Sequence, residues 1–113
     1  MVVGPADQPA EVIVSRLGAG FGDMKSNVDR WRGMVGLEPI PDPKNQKQRQ
    51  FIVGGQPGVL FDFEGPKGRM FVALAVLEQQ QTAWFFRFQG TAATVAAQEP
   101  TFEQFLSSIQ FGQ

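Results

Sequence analysis

The sequence predicts an α+β domain: an antiparallel β-sheet of five to six strands covered by helices as an α/β/α sandwich, in the order β-β-α-β-β-β-β-α. Three observations carry this. Between Phe51 and Phe88, four apolar runs rich in β-branched and aromatic residues follow one another across short Gly-rich or polar turns, which makes them antiparallel neighbours. One of these runs, residues 69–77, is apolar on both faces, with Met70, Val72, Leu74 and Val76 alternating with Phe71, Ala73, Ala75 and Leu77. Such a strand belongs at the centre of a sheet covered on both sides. Two stripes at helical spacing supply the covers: Met24, Val28, Trp31 and Val35, then Phe102, Phe105, Leu106 and Ile109.

Taken in chain order, Met1 to Val3 reads as the tail of a strand, and residues 10–17 as a strand with partial alternation. Gly18 to Gly22 forms a turn, after which Asp23 is placed to cap the first helix and Gly36 to end it. Residues 38–50 hold three prolines and the cations Lys44, Lys47 and Arg49 without an apolar period, which predicts an exposed loop. The strands Phe51–Val53, Gly58–Glu64, Arg69–Leu77 and Ala83–Phe88 follow, separated by turns at Gly54-Gly55, Gly65–Gly68 and Glu78–Gln81. Thr91 to Gln98 is Ala-rich and helical in propensity, and Thr101 with Gln104 matches a capping box, so a helix start or kink falls near Pro100.

A chain of 113 residues with 42% apolar residues, eleven Phe and two Trp has the material for one core, so residues 1–113 form a single domain. A net charge of −1 provides no field to steer the chain toward nucleic acid or an anionic membrane. No apolar run approaches the roughly 20 residues of a membrane span. The complete absence of Cys and His removes thiolate nucleophiles, Cys- or His-ligated metals and the usual general base near neutral pH.

Several side chains nonetheless invite a functional reading. Trp84 to Phe88 with Arg87 could be an aromatic stacking platform, but the same run fills two cores if it is a central strand, and Trp84 is then expected to be buried under the C-terminal stripe. Arg30-Trp31-Arg32 resembles an anion clamp, or else a buried anchor between two solvated cations. Asp62 and Glu64, two apart on a strand, share a face and could hold a hard cation or act as an acid/base pair. Arg69 and Lys67 across the turn offer them a plainer role in ion pairs. Lys44, Lys47 and Arg49 read as a solvated loop. The glycines at 18, 20 and 22 fit neither a dinucleotide fingerprint nor a P-loop.

The element order, with Trp31-Arg32-Gly33 on the first helix, Trp84-Phe85-Phe86-Arg87-Phe88-Gln89-Gly90 on the last strand and Phe102 to Phe111 at the end, resembles the PsbP-like superfamily, in particular its uncharacterised bacterial members. The resemblance covers most of residues 10–111. It implies the same sandwich and an accessory rather than catalytic role, and some members are exported or lipid-anchored. It also implies an N-terminal helix and strand, or an anchor, upstream in a longer parent protein. The expected function is a non-enzymatic binding or accessory domain without cofactor, with a protein partner. The alternative is a carboxylate-based metal-binding or hydrolytic site around Asp62 and Glu64. The candidate binding residues are Arg30, Arg32, Asp62, Glu64, Arg69 and Arg87.

Overall fold

A computed structural model describes residues 2–3, 10–17, 24–77 and 82–109. Its strands are β1 (Val2–Val3), β2 (Ala10–Leu17), β3 (Gln48–Val53), β4 (Gln56–Gly65), β5 (Gly68–Leu77) and β6 (Thr82–Gly90). The helices are α1 (Met24–Met34), α2 (Ala92–Ala97) and α3 (Glu99–Ser108), and a short 3-10 turn spans Pro43–Asn45. All strand pairs are antiparallel, in the spatial order β1-β2-β6-β5-β4-β3. The protein is therefore an α+β domain built on an antiparallel sheet, five of whose strands are long. The turns predicted at 18–22 and 78–81, the cap at Asp23, and Phe111 lie outside the described residues.

β5 sits between β4 and β6 and is buried on both faces, as its composition requires. Met70, Val72 and Leu74 point into a core closed by Val28, Trp31 and Val35 of α1 and its C-terminal end. Phe71, Ala73 and Ala75 point into a second core closed by Val95 of α2 and by Phe102 and Leu106 of α3. Alternation on β6 follows the same division, with Ala83 and Phe85 on the α1 side and Phe86 and Phe88 on the α3 side.

Gly36 ends α1 with φ of 86°, while the Leu37 N–H donates to the Arg32 carbonyl at 2.8 Å. A side chain at Gly65 would run into the Val35 carbonyl, so this glycine lets the β4–β5 turn close against the end of α1.

Three boundaries depart from the sequence reading. β3 begins at Gln48, inside the stretch assigned to a loop, because pairing with β4 gives its backbone partners whether or not its side chains alternate. The rest of that stretch is partly structured, with Asp42 capping the 3-10 turn through the Lys44 N–H. Where the element order ends on one helix two are present, and the helix start expected near Pro100 is that of α3, with Pro100 in its first turn, where its missing N–H has no consequence. Thr101 is accordingly inside α3 and hydrogen-bonds Gln98 by its side chain rather than acting as a cap.

Trp84 is half-buried rather than buried. It stacks on Phe86 at 6.3 Å, while α3 places Phe102 on Phe88 and Phe105 on Phe86. That succession of rings ends before Trp84, which is left at the margin of the core.

Candidate functional site

The candidate residues fall into two groups. At one corner of the sheet, Asp62 and Glu64 of β4 and Arg69 of β5 share the α3 face. The register sets Glu64 directly opposite Arg69. Arg69 instead reaches the diagonal partner, donating from Nε to Asp62 Oδ1 at 3.1 Å and from Nη2 to Oδ2 at 2.9 Å. This two-pronged pair lets the guanidinium lie over the Phe71 ring, 5.0 Å from its centroid, instead of standing out beside the exposed Glu64. Lys47 adds a second cation 3.3 Å from Asp62 Oδ2.

Burial pushes the Asp62 carboxyl upward, but the hydrogen bonds and charges of Arg69 and Lys47 outweigh it and hold the group below its ordinary value. Arg69 is raised, chiefly by its hydrogen bond to Asp62 against partial burial, with Glu64 and Glu99 adding to the effect.

Asp62 is held through its backbone as well. Its N–H donates to the Lys47 carbonyl, and its carbonyl accepts from Gln46 Nε2 at 2.6 Å. Gln46 is buried, and its Oε1 accepts from Arg32 Nη1 at 2.6 Å, while Arg32 Nε donates to the Glu38 carbonyl. Arg32 thus ties α1 through Gln46 to β4. It also lines, with Asp62 and Glu64, a depression of about 300 Å³ on this side of the corner. A second depression of about 280 Å³ holds Lys47, Arg49, Asp62, Arg69 and Glu99. From it Arg49 reaches Glu103 of α3, and it lies 3.6 Å from Glu99, which joins β3 to α3.

Arg30 and Arg87 form the other group. Arg30 is exposed and lies 5.8 Å from the Trp31 ring centroid. Arg87 is half-buried on the α1 side and donates to the sulfur of Met34 at 3.3 Å. Burial, then the charge of Arg30, lowers its pKa, with Glu11 opposing. The aromatic platform read from residues 84–88 is divided between the two faces, with Phe85, Phe86 and Phe88 buried.

Sequence reasoning did not single out Gln46, nor the tie between Arg49 and α3. Gln46 is one polar residue in a polar stretch, and the carboxylates of Arg49 lie far along the chain. A lone arginine on an edge strand opposite two helix carboxylates was the available signal. Among the described residues there is no group of three or more Asp, Glu, His or Cys side chains able to hold a metal ion. No described helix is long and apolar enough to cross a membrane.

No protein-family model matches the chain, and no curated protein is significantly similar to it. The fold is similar to the crystal structure of PA94, a protein of unknown function from Pseudomonas aeruginosa described as a candidate regulator. The two superpose with a TM-score of 0.56 over 98% of this chain and 78% of the other, at 17% identity, a likeness of fold alone.

Proposed function

We propose that this chain is a non-enzymatic binding or accessory domain, and that it belongs with the PsbP-like proteins its sequence resembles. One observation carries the functional reading: the Asp62 carboxylate is gripped by Arg69 and approached by Lys47. A general acid or base works best with a pKa near the operating pH, whereas this carboxyl is held ionised well below neutrality. Two cations in contact with it also oppose a divalent ion at the same oxygens. Arg32 and Arg49 have protein partners in the same corner, which favours reading it as a fastening of the fold. The sandwich with a helix on each side and the aromatic residues of α1, β6 and α3 support the family proposal.

The rival, a carboxylate metal or hydrolytic site at Asp62 and Glu64, is separated by calorimetric titration with calcium, magnesium and manganese. The binding-domain reading expects no micromolar affinity. Micromolar binding that Asp62→Asn abolishes would overturn it.

A further inference from the structure

β3 is the last strand of the sheet, and among the described residues no strand pairs with its outer side. The bond from the Asp62 N–H to the Lys47 carbonyl extends the β3–β4 register by one pair and fixes its phase. Hydrogen-bonded pairs recur at every second residue of an antiparallel ladder. Arg49, Phe51 and Val53 therefore turn their backbone groups toward β4, and Gln50 and Ile52 turn theirs away from the sheet. Pro57, which lacks an N–H, stands opposite Ile52, as this phase requires.

Edge strands are commonly guarded by charge, proline or brevity. β3 is six residues long, carries Ile52 at 58% exposure, and has one charged side chain, Arg49, which is occupied by carboxylates of α3. Both faces beside this edge are recessed. On the α1 side, Ile52, Pro57, Val59, Leu74 and Val76 line an apolar depression of about 330 Å³. On the other side, Phe51, Glu103, Gln104, Ser107 and Ser108 line a shallow, more polar depression of about 580 Å³. α3 itself carries Glu99 and Glu103 and no basic side chain, and Arg49 of β3 faces both, so the helix beside this second side is acidic.

We propose that the outer edge of β3 receives an extended segment of a partner protein as an added antiparallel strand. Its apolar side chains face the α1 side and alternate with basic side chains facing Glu103. An open edge supplies backbone hydrogen bonds, and a recess on each face reads alternate side chains. A second copy of this chain fits less well, since two-fold pairing would set the acidic excess of one α3 against that of the other. The inference rests on the binding-domain reading and names its partner chemistry.

The test is a titration of the isotope-labelled chain with the capped peptide Lys-Val-Lys-Val-Lys-Val-Lys, followed by amide NMR shifts. The valines stand opposite Gln50 and Ile52, so their N–H groups face β3. N-methylation of the valines is expected to weaken binding by roughly tenfold or more, and N-methylation of the lysines to leave it nearly unchanged. Shifts should centre on Gln50 and Ile52, and replacing lysine by glutamate in the peptide should weaken binding several-fold. Ile52→Lys should abolish it, although the methylated peptides decide the question even if that variant folds poorly. Absence of binding, equal affinity of the two methylated peptides, shifts centred on another edge, or a peptide-free dimer dissolved by Ile52→Lys would each overturn the proposal. None of these outcomes touches the binding-domain reading, which fails only through metal affinity or catalysis at Asp62.

Discussion

The two faces of the sheet are closed in different ways. On the α1 side a single helix drops Trp31, 1% exposed, into the centre of a ring of Phe61, Phe63 and Phe85, with centroids 5.4–6.0 Å away. On the α3 side two shorter helices lay Phe102 and Phe105 along β5 and β6, and the cover ends with Trp84 half-buried and Val14 exposed. Two tryptophans of one small domain thus have different standing, set by where the covering helix stops rather than by residue type.

Polar fastening differs too. α1 is tied by Arg32 and the buried Gln46 to the backbone of β4, while α3 is tied by Arg49 to Glu99 and Glu103 and by the Gly54 N–H to the Leu106 carbonyl. The first route is part-buried around the buried Gln46 and the ion pairs of the second are largely open to solvent, so equal bond counts would not mean equal contributions.

The comparison is sharpest at the tryptophans. Trp31→Ala should destabilise by about 3–5 kcal/mol, a large share of the roughly 5–15 kcal/mol of a typical domain, and urea unfolding should show it. Trp84→Ala should cost less, about 1–2 kcal/mol, because its ring lies at the margin of the core and keeps part of its surface in water. Equal losses would break the distinction between the faces.

Gln46→Leu comes next. It leaves the Asp62 carbonyl and one Arg32 donor without a protein partner in a part-buried setting, at a cost of about 1–2 kcal/mol. Arg49→Gln, on the open route, should stay below about 1 kcal/mol and lose its effect in high salt. Denaturation of both variants in low and high salt would reveal the contrast.

Acid should act at the corner the two routes share. The Asp62 carboxyl is depressed in the folded state, so its contribution is present above the unfolded value of about 4 and fades as pH falls through the lower folded value. Stability of Asp62→Asn should therefore converge on that of the parent chain below about pH 4, and a constant gap from pH 7 to pH 3 would contradict this.

Much of the fold was legible in the sequence because burial on both faces leaves a dense signal. Residues 69–77 could be nothing but a central strand, and the α1 and α3 stripes name the residues that reach the two cores. β3 was partly missed because an edge strand is specified by backbone pairing, and Gln48-Arg49-Gln50 carry no alternation. The exposure of Trp84 was hidden because periodicity gives the face of a side chain, not the end of its cover.

At the site, the sequence placed Asp62, Glu64 and Arg69 together but not their pairing. The diagonal choice of Asp62 over Glu64 depends on Phe71 offering its ring to the guanidinium. Gln46 became visible only when the loop folded against β4.

The measurement that bears most directly on the corner as a fastening of the fold is a double-mutant cycle between Asp62 and Arg69, using Asp62→Asn, Arg69→Met and the pair, by urea unfolding at pH 7. The half-buried, two-pronged geometry predicts a favourable coupling of about 1 kcal/mol, above that of most exposed pairs. A coupling indistinguishable from zero, with each single variant as stable as the parent chain, would show that the fold does not depend on this pair and would contradict the account.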